Sequence, residues 1–139
     1  MIKIFMFIII ISVVVFSQDG IFRKWKTIDD ETGKPKSIVE IYEKNGKIFG
    51  KIVDLFREPN EDQDPICTKC EDFRKNQKIR GMVIITNLQK NGDVYEGGEI
   101  LDPKKGKIYK CKIWLENGVL KVRGYWGFIY RTQTWYPVN

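Results

Sequence analysis

The chain has 139 residues, with 24 Lys and Arg against 18 Asp and Glu, a formal net charge of +6 and no histidine. Without histidine, the Ser/His and Cys/His nucleophile arrangements and the His-based metal sites are excluded, leaving an enzyme only carboxylate or thiol chemistry. The basic residues are spread over nearly every segment, as on a solvated surface, whereas a nucleic-acid stripe would cluster, so no nucleic-acid partner, cofactor, metal site or catalytic residue is expected.

The chain begins MIKIFMFIIIISVVVFSQD. One lysine, an apolar run from Ile4 to Phe16 and a small residue at Ser17 make the pattern of a secretory signal peptide cut after Ser17. The run is shorter than the roughly 20 apolar residues a transmembrane helix needs; an uncleaved N-terminal anchor is the other reading. No cysteine follows the run to carry a lipid. The expected organisation is a signal peptide over 1–17 and a single domain over 18–139. That places the protein in the periplasm or outside the cell, as a monomer with no membrane-spanning segment after processing. Loss of Lys3 lowers the formal charge from +6 to +5.

After the leader, eight runs rich in Val, Ile, Tyr, Phe, Trp and Thr read as strands: Phe22–Thr27, Ser37–Tyr42, Lys47–Leu55, Met82–Gln89, Asp93–Leu101, Lys107–Glu116, Val119–Trp126 and Ile129–Tyr136. "EKNGK" (43–47), "QKNGDV" (89–94), "DPKKGK" (102–107) and "LENGVL" (115–120) supply hairpin turns, since Asn-Gly readily takes the positive φ angles of a two-residue loop. Sequential hairpins in one small domain favour a closed, mostly up-and-down β-barrel, because closure removes exposed edges. A two-sheet sandwich is the alternative.

One region breaks the rhythm. Residues 56–81, FREPNEDQDPICTKCEDFRKNQKIRG, are polar and contain a CxxC. In an oxidising compartment Cys67 and Cys70 can close a small disulfide ring that ties this loop. Cys111 is then a buried free thiol, or the alternative partner of one loop cysteine. A thioredoxin-type redox role would need a helix N-terminus beside the first cysteine, and zinc would need a fourth ligand.

On the last strand, alternation puts Ile129, Arg131, Gln133 and Trp135 on one face; on the strand before it, Arg123 and Tyr125 lie opposite Leu120, Val122 and Trp126. Alternation also places Glu96 and Glu99 on opposite faces, so they cannot act as an acid–base pair. Asp102 is a turn residue ahead of Pro103.

The blocks "FRKWKT", "IYEKNGKIFGKIV", "CTKC", "GMVIITNLQKNGDVYEGGEILDPKKGKIYKCKIWL" and "LKVRGYWGFIYRTQTW" together resemble the bacterial family known as domain of unknown function 2147, from about Phe22 to Trp135. The resemblance implies small exported proteins with a lipocalin-like β-barrel, and little about activity. In lipocalins a first-strand Trp packs beneath an Arg from the last strand at the closed end, which implies Trp25 beneath Arg131, with Gln133 and Trp135 completing a barrel-closing cluster. Arg23 stands where that motif has Gly.

Two functions from different classes follow. An eight-strand barrel has room for one small ligand, here apolar or amphiphilic, with Arg123, Tyr125, Tyr42 and Trp114 as candidate contacts. The alternative is an interaction protein of the envelope whose interior is filled by side chains. Redox activity through Cys67 and Cys70 ranks third.

Overall fold

A computed structural model of the protein describes residues 1–12 and 20–139. The expected cut after Ser17 lies outside the described residues, among which no helix is long and apolar enough to cross a membrane. The strands are β1 (Lys24–Ile28), β2 (Pro35–Lys44), β3 (Lys47–Leu55), β4 (Val83–Asn91), β5 (Val94–Asp102), β6 (Lys107–Glu116), β7 (Val119–Trp126) and β8 (Ile129–Pro137). Each is antiparallel to the next, and β8 returns to β1, closing an eight-strand up-and-down barrel. The closing seam is short, pairing Trp25 with Pro137 and Lys26 with Tyr136.

Turn chemistry fixes the register. Asn45-Gly46 and Asn117-Gly118 take positive φ at both positions, as a type I′ turn requires. In "QKNGDV" the turn slides by one residue. Asn91 pairs with Val94, leaving Gly92-Asp93 as the loop, with positive φ at the glycine alone. Gly127-Phe128 follows the same Gly-first scheme between β7 and β8.

Alternation separates an inner face from an outer one. Val39, Ile85, Leu88, Ile113 and Leu120 point inward and are 0% exposed, so none of them borders a space wide enough for a water molecule. An added Cβ on Gly50 would lie 3.1 Å from both Ile41 and Ile85, which shows how closely β2, β3 and β4 interdigitate. The half of the interior nearest Trp25 is filled by these side chains.

The segment Gly20–Arg23 crosses that end as a peg. Ile21 is fully buried, and its carbonyl accepts from the Trp25 indole N–H at 3.0 Å and from the Arg23 amide at 2.9 Å. The cation over the Trp25 ring is Arg23, 5.5 Å from the centroid. Arg131 sits at the other end of β8, where it pairs with Asp30 at 3.4 Å. The arrangement implied for Trp25 and Arg131 is therefore corrected: β1 meets β8 at Pro137, six positions along the strand from Arg131, too far for a side chain to bridge.

A bulge corrects a second expectation. Tyr95 opposes Ile113 and Gly98 opposes Cys111, so β5 carries an extra residue at Gly97, whose φ of +85° is a left-handed conformation suited to glycine. The extra residue resets the alternation. Glu96 and Glu99 consequently share the outer face; Glu96 approaches Lys112 at 3.9 Å and Glu99 is the register partner of Lys110.

Candidate functional site

The long loop between β3 and β4 folds back on the outer wall. Ile85 pairs with inward-facing Ile100, so their neighbours Ile84 and Leu101 face outward, yet both are buried. The loop covers them. Cys67 and Cys70 form a disulfide and are both buried. An isolated bridge pairs Ile66 with Lys78, and the Cys67 amide donates to the Gln77 carbonyl at 2.8 Å. The Cys67 sulfur lies 3.5 Å from the Pro103 carbonyl oxygen, and the Lys69 backbone rests on Gly106 of the β5–β6 turn. Thiol–disulfide exchange requires a thiolate to reach a sulfur, and these sulfurs are enclosed. Cys111 is the free thiol expected, buried in β6, and burial pushes it up from 9.0 to about 12.

Arg74 anchors the loop's second half. It is nearly buried, holds Asp72 through Nε and Nη2 at 2.7–3.2 Å, and donates from Nη1 to the Val83 carbonyl at 2.9 Å. The guanidinium in turn holds the Asp72 carboxyl below the usual carboxylate range. Arg80 pairs with Asp54 at the end of β3.

Between this loop and the outer face of the β2–β3 hairpin runs an open groove of about 1050 Å³. Tyr42 and Phe49 are register partners whose rings stack at 5.8 Å, and with Met82 and Val83 they give the groove an apolar floor, beside which Phe73 stands exposed. Lys44, Lys47, Lys78 and Arg80 stand around it. Lys78 pairs with Asp64 at 3.0 Å, while Lys44 and Lys47 have no ion-pair partner among the described residues. Burial is the main cause that raises the Tyr42 hydroxyl above its ordinary range, so it stays a neutral donor.

Of the four candidate ligand contacts, only Tyr42 belongs to this groove. Arg123 pairs in register with Thr132 and Lys112, outside the layer of Val122 and Ile113. Its guanidinium is held between Trp114 at 4.9 Å and Tyr130 at 4.3 Å, and Nε donates to the Thr132 hydroxyl at 2.7 Å. Tyr125 contacts Tyr130, with ring centroids 5.9 Å apart. Arg123, Tyr125 and Trp114 thus form an outer-wall cluster on β6–β8, facing away from the barrel interior.

The barrel-closing group divides as well. Trp25 and Trp135 are buried near the packed end, whereas Gln133 links Trp135, at 3.1 Å, to Asp30, at 2.7 Å. Lys44, Lys47, Arg80 and Phe73 were not singled out by the sequence. Their proximity depends on a loop folding onto a hairpin, which no local pattern announces. Among the described residues, no group of three or more His, Cys, Asp or Glu is placed to hold a metal.

Comparison with known proteins agrees with this architecture. A solved structure described as protein HP1028 from Helicobacter pylori, a member of the lipocalin family, superposes with a TM-score of 0.71 at 21% identity, covering 86% of this chain and 83% of that one. At that identity the likeness speaks for the fold. No curated protein matches the sequence. Residues 24–136 match the family described as "uncharacterized protein conserved in bacteria (DUF2147)", and the chain belongs to that family.

Proposed function

We propose that the protein is an exported binding protein that takes a small amphiphilic anion in the groove between the β2–β3 hairpin and the disulfide-tied loop. The signal-peptide pattern of residues 1–17 supports export to the periplasm or beyond. The observation that carries the binding reading is the stacked Tyr42–Phe49 pair flanked by Lys44 and Lys47. An apolar floor accepts a hydrocarbon or aromatic body, and two cations with no carboxylate partner among the described residues accept its acidic head.

The test is titration of the protein, as recovered from cells, with the aromatic sulfonate 1-anilinonaphthalene-8-sulfonate, followed by competition with decanoate. Phe49→Ala and Lys44→Glu/Lys47→Glu should each weaken binding about tenfold or more. Equal binding by all three forms overturns the groove as the site.

A second reading, an envelope interaction protein, draws on the packed interior around Ile85, Ile113 and Leu120. A barrel filled in this way serves as a rigid platform for its surface.

A further inference from the structure

The β7–β8 hairpin breaks the usual rule that large apolar side chains are covered. At its tip, Trp126 is 74% exposed, Phe128 94%, Ile129 68% and Tyr130 58%. Elsewhere on the barrel the turns are made of Asn, Gly, Asp and Lys, as at Asn45-Gly46, Gly92-Asp93 and Asn117-Gly118. Turn formation needs only the glycine at 127, so Phe128 has no local structural reason to be there. Trp126 and Ile129 are register partners on one face of the hairpin, Tyr130 packs on Tyr125 on the other, and Phe128 stands at the turn, so apolar side chains ring the tip on both faces. Exposed apolar side chains gathered in this way mark a contact site.

Charge identifies the contact. Within β6–β8 the cations are Lys107, Lys110, Lys112, Lys121, Arg123 and Arg131, and the one carboxylate side chain is Glu116, at the opposite end of β6 from the tip. Neighbouring strands bring Asp102 and Glu99 opposite Lys107 and Lys110 and pair Asp30 with Arg131, but neither Lys107 nor Lys110 forms an ion pair among the described residues. Lys107 stands 5.8 Å over the Trp126 ring, and Lys110 is the register partner of Tyr125. Tryptophan and tyrosine beside lysine form the side-chain set favoured where lipid headgroups meet acyl chains, and each nearby cation adds attraction to anionic lipid.

We propose that the β7–β8 hairpin tip is a membrane-docking element that inserts Phe128, Ile129 and Trp126 into the interface of an anionic phospholipid bilayer while Lys107 and Lys110 contact its headgroups. The tip penetrates only to the headgroup–acyl boundary, because Gly127 and its neighbours carry backbone polar groups that need water or headgroup partners. The docked barrel stands with β6–β8 toward the lipid and the groove of β2–β3 away from it. This reading is independent of what the groove binds.

The test uses protein recovered from expressing cells, its N terminus read by mass spectrometry, and vesicles of phosphatidylglycerol and phosphatidylcholine in equal parts or of phosphatidylcholine alone. The unchanged protein should sediment with the anionic vesicles and much less with the neutral ones, and added salt should release it. Phe128→Ser/Ile129→Ser should weaken the association about tenfold or more, with an unchanged melting temperature because both side chains are exposed. Lys107→Glu/Lys110→Glu should remove the preference for anionic vesicles. Quenching of tryptophan fluorescence by brominated lipid should disappear in Trp126→Phe. The proposal is overturned if the double-serine variant sediments like the unchanged protein, or if both vesicle types bind equally. It is also overturned if the patch instead holds two chains together, seen as a dimer that the double-serine substitution dissolves without any change in vesicle binding.

Discussion

Gly106 and Lys69, on different loops, are in backbone contact. A Cβ built on Gly106 would fall 1.9 Å from the Lys69 carbonyl oxygen, and φ at Gly106 is +67°. Gly106→Ala should therefore lift the CxxC segment off the β5–β6 turn and lower stability by roughly 2–4 kcal/mol, combining backbone strain with overpacking. Gly118→Ala separates the two effects, because it has a φ of +79° and nothing within 4 Å; it should cost only about 1–2 kcal/mol. Thermal melts of the two variants check this, and equal losses would mean the loop does not rest on Gly106.

Cys111 makes stability depend on alkaline pH. Its folded-state value of about 12 lies above its ordinary 9.0, so the folded protein holds the thiol proton more tightly than the unfolded chain does. The stabilisation is complete below pH 9 and declines as pH rises from 9 toward 12. Cys111→Val should flatten that decline relative to the unchanged protein in denaturant titrations at stepped pH. In the native protein at pH 8, iodoacetamide should leave Cys111 unmodified.

Arg23 and Trp25 should show a coupling of about 0.5–1 kcal/mol in a double-mutant cycle of Arg23→Ala and Trp25→Phe. The matching cycle of Arg131→Ala and Trp25→Phe should give zero within about 0.5 kcal/mol, since Arg131 pairs with Asp30 instead. A sizeable Arg131–Trp25 coupling would restore the arrangement implied by the lipocalin resemblance.

Arg74→Ala strands the Val83 carbonyl and the Asp72 carboxylate together. A loss of about 2–4 kcal/mol is expected from the unfolding midpoint. The acid side is informative as well. Asp72 is held below its ordinary value chiefly by its hydrogen bonds from Arg74, so the pair contributes stability above the ordinary carboxylate range and loses it as pH falls through the depressed value. In Arg74→Ala that acid-side decline should be shallower.

The strand ladder was legible because local signals agree with one another. Lys47–Leu55, Lys107–Glu116 and Val119–Trp126 begin and end where β-branched runs meet turn residues. Arg123 and Tyr125 were placed on the correct shared face of β7 by alternation alone. Which face pointed inward was not legible, since both carry aromatic residues. Alternation failed at Glu96 and Glu99, where a glycine at 97 could equally serve an ordinary strand. The groove stayed hidden for a different reason. It joins Phe49 to Phe73 and Arg80 through a fold of the 56–82 loop, and long-range contacts of that kind leave no periodic trace. The lipocalin analogy misassigned the cation of Trp25, because Arg23, in the place of the motif's glycine, lies over the ring that Arg131 was expected to cover.

The two-pair seam between β1 and β8 has a kinetic consequence. Trp25 lies on the first strand and Pro137 on the last, so the ring cannot shut until β8 has been made. The loop-closure entropy of that contact must be overcome before the Ile21 peg gains its full set of neighbours. Hairpins such as β2–β3 and β6–β7 can form early, but β1 waits without a partner on one side. A chain shortened by a few C-terminal residues would therefore be expected to persist as an open curl of strands, with its first strand exposed as a free edge and prone to pairing with other chains.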